Sequence, residues 1–262
     1  MVYVTGDTHR DIRYFTPGPL CRDPGWGPGD KVIVTGDFGF VMEGEENSDR
    51  EKYMLDELGR KDFEILFVDG NHEGFPYLEQ YPEELRYGAP VRRIRRNIFW
   101  LQRGYVYTIE GMTFLTLGGA ASMDKAWRLS YFDQHGIPIW FEREIPTDEE
   151  LDRALESLRR HGGKVDYIIT HTAPKTFFRK LVGRDPSIYD ADVSLTRRLY
   201  EIYCEAEFTH WFLGHFHVDQ ALNDRMIACM DLVHRLPLDQ DDIWELDLAL
   251  DHREGYLLGR PK

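Results

Sequence analysis

The N-terminal third of the chain repeats one pattern, in which a short apolar run ends beside a glycine and a polar residue. Such runs, rich in Val, Ile, Leu and Phe, are typical of buried strands with functional groups at their carboxyl ends. They lie at Val2–Thr5, Lys31–Thr35 and Glu64–Val68. Between the second and third runs, residues 48–60 have a partly apolar helical face. This order predicts a βαβ crossover between neighbouring parallel strands.

The remainder of the chain predicts a hairpin followed by alternating helices and strands. Tyr105–Ile109 and Met112–Leu117 flank the two-residue turn signal Glu110-Gly111, which is typical of a hairpin. The later elements are a helix from the capping-box pair Thr147 and Glu150 to Gly162, a strand at Asp166–Thr170, a helix at about Ser194–Glu205, a strand at Trp211–Leu213, and a strand at Arg225–Met230 that pairs back beside it. Together these elements predict two packed sheets with helices outside.

Composition indicates one soluble globular domain over residues 1–262. Hydrophobic residues make up 42% of the 262 residues and charged residues 30%, with no internal repeat or low-complexity linker. We expect no membrane segment, because no apolar run approaches the roughly 20 residues that span a bilayer. The N-terminus lacks the pattern of a signal peptide. Three widely spaced cysteines predict free thiols, so the expected compartment is the reducing cytoplasm.

The formal net charge of −14 limits the expected partners. A strongly acidic surface disfavours long nucleic acid and anionic membranes. A small phosphorylated substrate remains compatible with this charge, because bound dications reverse the local sign at a metal site.

Polar residues with metal-binding side chains follow five of the predicted strands. These residues are Asp7 with His9, then Asp37, Asn71 with His72, His171, and finally His215 with His217. Open α/β sheets hold their ligands at the carboxyl ends of strands, and residues two apart in extended backbone face the same side. Each residue alone is typical of a turn or of a hydrogen-bonded polar group. Their occurrence at five separate strand ends indicates one site.

The residue types indicate a metal centre that hydrolyses phosphoesters. Imidazole combined with carboxylate or amide oxygen suits Mn, Fe, Zn or Ni, and no cysteine lies near enough to predict a thiolate site. One bridging Asp would hold two ions at a separation of roughly 3.5–4 Å. Such a pair generates a bridging hydroxide near neutral pH for in-line attack on phosphorus and stabilises the charge of the transition state. The predicted substrate is a phosphomonoester or phosphodiester, nucleotides included.

The blocks GDTH, GDFG, GNHE, the His after IIT, and GHFH resemble, in this order, the five signature blocks of the calcineurin-like metallophosphoesterases. The resemblance covers about Val2 to Met230 and implies a four-layer α/β/β/α sandwich of two mixed sheets flanked by helices. It also implies the ligands of two metals: Asp7, His9, Asp37 and His217 for one, and Asp37, Asn71, His171 and His215 for the other. Asp37 would bridge the two ions. His72 would stabilise the transition state or protonate the leaving oxygen.

The chain departs from this family pattern in two places. Protein Ser/Thr phosphatases and dinucleoside-tetraphosphate hydrolases of the family carry Arg-Gly shortly after the second Asp, whereas GDFGFVMEGE is followed by no arginine before Arg50. We therefore do not expect a protein phosphatase of that branch. The first block reads GDTHRD instead of GDxHG, which predicts a different access loop.

Residues 118–146 form a distinctive insert, similar to a segment in a group of bacterial and phage-type metallophosphoesterases. One interpretation is a loop that packs on the core. The other is that Arg128 reaches the substrate phosphate in place of the missing arginine, with Asn71 and His72 as further substrate contacts.

Residues 86–103 contain six arginines, which allow two interpretations. One is a solvated strand or loop face. The other is a local patch for a nucleotide or a short nucleic acid.

The sequence disfavours three alternatives to a phosphoesterase of this kind. A non-catalytic metal-binding or protein-interaction scaffold on the same fold is disfavoured by the intact ligand set and by His72. A large repair nuclease would need an additional DNA-capping domain, and a metallo-β-lactamase-like hydrolase would need an HxHxDH motif, which is missing from the sequence.

Overall fold

A computed structural model describes residues 1–182 and 193–238. Within these ranges the strands are β1 (Val2–Thr5), β2 (Lys31–Val34), β3 (Glu64–Phe67), β4 (Glu83–Arg86), β5 (Ala89–Arg95), β6 (Ile98–Leu101), β7 (Tyr105–Ile109), β8 (Met112–Leu117), β9 (Tyr167–Thr170), β10 (His210–Leu213), β11 (Gln220–Ala221), β12 (Met226–Ala228) and β13 (Val233–Leu236). The α-helices of the same ranges are α1 (Asp49–Gly59), α2 (Phe75–Leu78), α3 (Lys125–His135), α4 (Asp148–Arg160), α5 (Phe178–Val182) and α6 (Val193–Glu205). The prediction of one domain over residues 1–262 also includes residues 183–192 and 239–262, which lie outside the described residues.

The described strands form two mixed sheets. One has the order β13-β1-β2-β3-β6-β5-β4, and the other has the order β11-β12-β10-β9-β8-β7. In the first sheet β1, β2, β3 and β6 are parallel, and in the second β8, β9, β10 and β12 are parallel, with antiparallel pairs toward the edges. The predicted crossover and hairpin are confirmed. Parallel order brings the carboxyl ends of the central strands to one edge of each sheet.

Apolar side chains pack in three layers between these elements. Alternate residues of a strand face opposite sides. Val4 and Leu66 of the first sheet therefore meet Ile169 and Phe212 of the second in a shared core. On the outer faces, α1 packs on the first sheet, and α4 and α6 pack on the second. This arrangement confirms the predicted fold class of two mixed sheets flanked by helices.

The start of α4 shows how a local sequence pattern sets a helix end. Thr147 Oγ1 accepts a hydrogen bond from the Glu150 backbone N–H at 3.3 Å, and a Glu150 side-chain oxygen accepts one from the Thr147 N–H at 2.9 Å. The predicted capping box is therefore present. Leu151, Leu155 and Leu158 then lie buried against the second sheet.

Two predictions about the later elements need correction. The strand expected at Arg225–Met230 is β12, and it pairs beside β10 as predicted. Its direction differs from that of a hairpin partner: β12 runs parallel to β10, because β11 reverses the chain first. Residues 118–146, interpreted above as a loop that packs on the core, include the helix α3. Helix α3 buries no apolar stripe: its aromatic residues Trp127 and Phe132 are 59% and 45% exposed. The hydrophobic periodicity that usually reveals a helix in a sequence is therefore missing from α3.

The arginines of residues 86–103 do not form a free basic patch. Each lies within 4.0 Å of a carboxylate: Arg86 with Glu64, Arg92 with Glu83, Arg93 with Glu84, Arg95 with Glu45, Arg96 with Asp62, and Arg103 with Asp69. This pairing favours an ion-paired strand face over a nucleotide-binding patch. Both interpretations of residues 86–103 place the arginines at the surface, but the side chain of Arg103 is buried.

The thiols of Cys21, Cys204 and Cys229 are free, as predicted. Among residues 1–182 and 193–238, every helix is too short or too polar to cross a bilayer.

Candidate metal centre

The predicted ligands converge where the two sheets present the carboxyl ends of their parallel strands. Asp7, Asp37 and Asn71 follow β1, β2 and β3 of the first sheet, and His171 and His215 follow β9 and β10 of the second. The candidate ligands therefore come from both sheets and meet above the shared core. Asp7, Asp37, Asn71 and His171 are buried, whereas His9, His72, His215 and His217 are partly exposed.

One group of donor atoms consists of Asp7, His9, Asp37 and His217, whose donor atoms all lie within 4.8 Å of one another. His9 Nε2 lies 2.8 Å from His217 Nε2 and 3.8 Å from Asp37 Oδ2. His217 Nε2 lies 3.5 Å from Asp7 Oδ2. Imidazole nitrogens and carboxylate oxygens directed at one point form a donor set that suits a divalent transition-metal ion.

A second group lies against the first. Asn71 Oδ1 is 3.2 Å from His171 Nε2 and 3.0 Å from His215 Nδ1. Asp37 Oδ1 is 3.2 Å from the same His171 nitrogen. The two oxygens of Asp37 thus face different groups, Oδ1 the second and Oδ2 the first.

The backbone at the site adopts conformations that are uncommon for residues with a side chain. His9, Asp37, His215 and His217 have φ values of 44°, 47°, 71° and 52°. Left-handed conformations of this kind cost on the order of 1–3 kcal/mol each and cluster at functional sites. Hydrogen bonds hold the turns in place: the His9 N–H donates to Asp37 O at 2.8 Å, and the His215 N–H donates to Asp7 Oδ2 at 3.0 Å.

Glycines leave room for the two carboxylates. A Cβ on Gly70 would lie 2.0 Å from Asp37 Oδ1, and a Cβ on Gly214 would lie 2.1 Å from Asp7 Oδ1. These distances are far below van der Waals contact. The glycines beside the polar residues therefore bring the backbone close to the ligands.

Burial and mutual charge perturb the ionisation of the carboxylates. Burial raises the pKa of Asp7 to about 7, although the charge of His171 acts in the opposite direction. Burial also disfavours charge on Asp37, but its contacts with His171 outweigh burial and hold the pKa of Asp37 well below its usual range. The pKa of His171 is raised to about 10, because Asp37 and Asp7 outweigh its burial. Two buried carboxylates thus require positive charge, which fits a site for dications.

Hydrogen bonding also orients His171. Its Nδ1 lies 2.9 Å from Thr35 O, a contact in which the ring N–H donates to the carbonyl oxygen. The opposite nitrogen, Nε2, is then directed at Asp37 and Asn71. Metal-ligating histidines are commonly fixed by such a backbone carbonyl.

His72 and Arg128 lie together beside the two ligand groups. Arg128 Nη2 is 2.7 Å from His72 Nε2, and Arg128 Nη1 donates to Asn71 O at 2.7 Å. A cavity of about 280 Å³ is lined by Asp37, Asn71, His72, Met123, Asp124, Arg128, His215 and His217. The predicted phosphate contact Arg128 is thus at the site, but it is buried and its head group contacts His72 and the Asn71 backbone.

Several residues that support the site were not singled out from the sequence. Glu73 accepts hydrogen bonds from the N–H groups of Phe38 and Gly39, at 2.8 and 3.1 Å, and so holds the turn after Asp37. Arg22 donates to Asp7 O at 3.0 Å. The GNHE block already contained Glu73, whereas Arg22 lies in a glycine- and proline-rich stretch that carries no comparable signal.

Ser122 and Glu144 are further supporting residues, both in the insert. Asn71 Nδ2 lies 3.2 Å from Ser122 Oγ, which lies 2.6 Å from Glu144 Oε2. The separation of 22 residues between Ser122 and Glu144 fits no local pattern, so their contact could not be read from the sequence.

Comparison with known proteins agrees with this geometry. The family model for calcineurin-like phosphoesterases matches residues 1–219. This range includes every residue of the two ligand groups, from Asp7 to His217. No curated protein matches the chain.

Proposed function

Because the chain belongs to the calcineurin-like phosphoesterase family, we propose that it is a dinuclear metal-dependent hydrolase of phosphomonoesters or phosphodiesters, nucleotides included. The observation that carries the proposal is the position of Asp37 between the two ligand groups. Its Oδ1 is 3.2 Å from His171 Nε2, and its Oδ2 is 3.8 Å from His9 Nε2. A carboxylate in this position would be able to bridge two ions, one held by each group.

Seven side chains would hold two divalent transition-metal ions, with Mn, Fe, Zn and Ni as the candidates. Asp7, His9 and His217 would hold one ion, Asn71, His171 and His215 the other, and Asp37 both. When bound, such ions make water acidic enough to supply a nucleophile near neutral pH and offset charge on the phosphate.

His72 supplies a hydrogen-bond donor beside the substrate phosphate. Because a guanidinium only donates, the contact with Arg128 makes His72 Nε2 an acceptor and leaves the ring proton on Nδ1. Burial and the charge of Arg128 lower the pKa of His72, against the opposing effect of Asp37. The ring lies beside the centre, with Nε2 4.0 Å from Asp37 Oδ2. We assign the Nδ1–H of the neutral ring to a phosphoryl or leaving oxygen, where charge develops in the transition state.

Arg128 orients His72 and Asn71 and also offers a donor to the phosphate. Its contacts with Asp124, Asn71 O, Ile139 O and His72 engage four of its five N–H groups. The fifth, on Nη2, is the one we assign to a phosphoryl oxygen. Arg128 thus replaces the arginine that other family branches carry after the second Asp.

The surroundings of the site suit a small substrate. The cavity of about 280 Å³ accommodates a compact phosphoester. The net charge of −14 disfavours long nucleic acid. The proposal extends to the bacterial and phage-type subgroup, which residues 118–146 resemble, and to a cytoplasmic location, which free thiols support.

The test is hydrolysis of p-nitrophenyl phosphate and bis-p-nitrophenyl phosphate with Mn²⁺, Ni²⁺, Zn²⁺ or a chelator. We expect turnover that requires metal and that is lost in Asp37→Asn. Asp62→Asn is the matched control, because the Asp62 side chain is 75% exposed. The preferred substrate decides between monoesterase and diesterase. Metal binding without turnover on any phosphoester would favour the scaffold alternative, and a chain that binds no metal would overturn the proposal.

A further inference from the structure

A buried chain of hydrogen bonds links the insert to one predicted metal ligand. It runs from Trp140 through Glu144 and Ser122 to the side-chain amide of Asn71. Glu144 Oε1 accepts from the Ser122 N–H and from Trp140 Nε1–H, both at 2.8 Å. Glu144, Ser122 and Asn71 are 2%, 5% and 7% exposed. Bulk water therefore has little access to these atoms, so the direction of each hydrogen bond is set by the protein groups themselves.

The direction of each hydrogen bond follows from the number of hydrogens available. A serine hydroxyl has one hydrogen, and its contact of 2.6 Å with the Glu144 carboxylate uses that hydrogen. Ser122 Oγ can then only accept from the side chain of Asn71, at 3.2 Å. The atom of Asn71 that faces Ser122 must therefore be the NH₂ group, and Oδ1 must face His171 and His215.

This orientation matters because only the amide oxygen of asparagine is a metal ligand. The two faces of an amide differ little in shape, so packing alone does not select one of them. We propose that Glu144 and Ser122 are positioning residues that fix the amide of Asn71 and so determine the affinity of the second metal position. The inference rests on the proposed metal centre and assigns the insert a role in assembling it.

A nearly isosteric substitution at Glu144 should reverse the polarity of this chain. In Glu144→Gln, two N–H donors still face the Oε1 position, so the amide oxygen stays there and Nε2 faces Ser122. Nε2 then donates to Ser122 Oγ, and the serine hydrogen turns toward Asn71. The side-chain amide of Asn71 would then flip, so that its oxygen accepts from Ser122 and its NH₂ group faces the metal position.

A charge-conserving double substitution should restore the site. An aspartate at position 71 has oxygens on both sides, so it can accept from the reoriented Ser122 and still present an oxygen to the metal. Glu144→Gln combined with Asn71→Asp therefore changes two residues without changing the total charge. Asn71→Asp alone would place a carboxylate oxygen against Ser122 Oγ, whose hydrogen is already engaged by Glu144.

The experiment is Mn²⁺ binding to the full chain by equilibrium dialysis, with metal content measured by mass spectrometry. We expect two ions per chain for the wild type and a second ion bound about 10- to 100-fold more weakly by Glu144→Gln. The double variant should bind the second ion more tightly than either single variant. Trp140→Phe is the matched control, because it removes one hydrogen bond to Glu144 without reversing any donor, and its second ion should be bound as in the wild type.

Unchanged binding of the second ion in Glu144→Gln would overturn the inference, and so would a double variant no better than its parents. If Glu144→Gln fails to fold, as judged by its thermal transition, Ser122→Ala is the second variant, and its second ion should also bind at least about tenfold more weakly. Unchanged binding in Ser122→Ala would likewise overturn the positioning role. A wild type that binds no metal would overturn the proposed function itself, which distinguishes the two failures.

Discussion

Arg128 Nη2 lies 2.7 Å from His72 Nε2, so a residue of the insert directly contacts the predicted donor to the phosphate. The same guanidinium donates to Asn71 O at 2.7 Å. Arg128 is 3% exposed, and its position is set by α3, whose outward side chains are largely exposed. The helix therefore serves the site chiefly through one buried arginine.

Arg128→Ala should lower kcat/KM by about 10- to 100-fold, because misplacement of a catalytic group by about 1 Å can cost 100-fold. Arg128→Lys should recover only part of the loss, since an ammonium cannot reproduce the forked contacts to His72 and Asn71. Steady-state kinetics on the better nitrophenyl substrate measure both. Arg197→Ala, at a 70% exposed side chain on α6, is the control. A kcat/KM within about twofold of wild type for Arg128→Ala would show that the arginine has no role in turnover.

Gly70→Ala should weaken metal binding without changing any ligand or charge. Its Cβ would lie 2.0 Å from Asp37 Oδ1 and 2.7 Å from His171 Nε2, so both ligands would have to move. We expect at least about tenfold weaker Mn²⁺ binding, as seen when the surroundings of a metal site are disturbed. Gly27→Ala is the matched control, because a Cβ there meets no atom within 4 Å. Equal affinity in the two variants, measured by calorimetry, would contradict the described ligand geometry.

Arg103→Met should destabilise the fold strongly. The Arg103 and Asp69 side chains are 1% and 0% exposed, so the substitution leaves a buried carboxylate without its cation. Loss of one partner of a buried ion pair costs about 3–5 kcal/mol. The exposed pair of Arg96 with Asp62 provides the contrast, and Arg96→Met should change the free energy of unfolding by less than about 1 kcal/mol. Urea denaturation measures the free energy of unfolding of both variants. Similar losses in Arg103→Met and Arg96→Met would contradict the burial of the Arg103–Asp69 ion pair.

Glu150 should make the stability depend on pH in the acid range. Burial opposes its ionisation, but hydrogen bonds from Arg143 and the charge of Arg103 outweigh burial and lower the pKa of Glu150 from 4.5 to about 2. A depressed folded-state pKa contributes stability that is present above pH 4.5 and lost as the pH falls toward 2. The free energy of unfolding of the wild type should therefore fall more steeply over this window than that of Glu150→Gln, which keeps the capping-box pattern. Glu46→Gln, at an exposed position, should follow the wild type. A Glu150→Gln curve parallel to the wild type would contradict the pairing of Glu150 with Arg143 and Arg103.

The strands and the polar residues that follow them were predictable because local sequence patterns mark both. β1, β2, β3 and β10 are short apolar runs, and each is followed by a glycine and then by a candidate ligand such as Asp7 or Asp37. The capping box of Thr147 was readable for the same reason, since both of its partners lie within one helical turn. In both cases the signal lies within a few neighbouring residues of the sequence.

The side chains that position the candidate ligands were not predictable, because their contacts join residues that are far apart in the sequence. Ser122 reaches Asn71 across 51 positions, and Arg128 reaches His72 across 56. α3 lacks a buried apolar stripe, so hydrophobic periodicity gave no signal for it. The parallel direction of β12 likewise depends on the turn through β11, which consists of only Gln220 and Ala221.

The most direct test of the central claim is anomalous diffraction from crystals grown with Mn²⁺. The account predicts two anomalous peaks separated by roughly 3.5–4 Å, each in contact with one oxygen of Asp37. One peak should lie beside Asp7, His9 and His217, and the other beside Asn71, His171 and His215. A single ion, or two ions that do not share Asp37, would contradict the dinuclear centre.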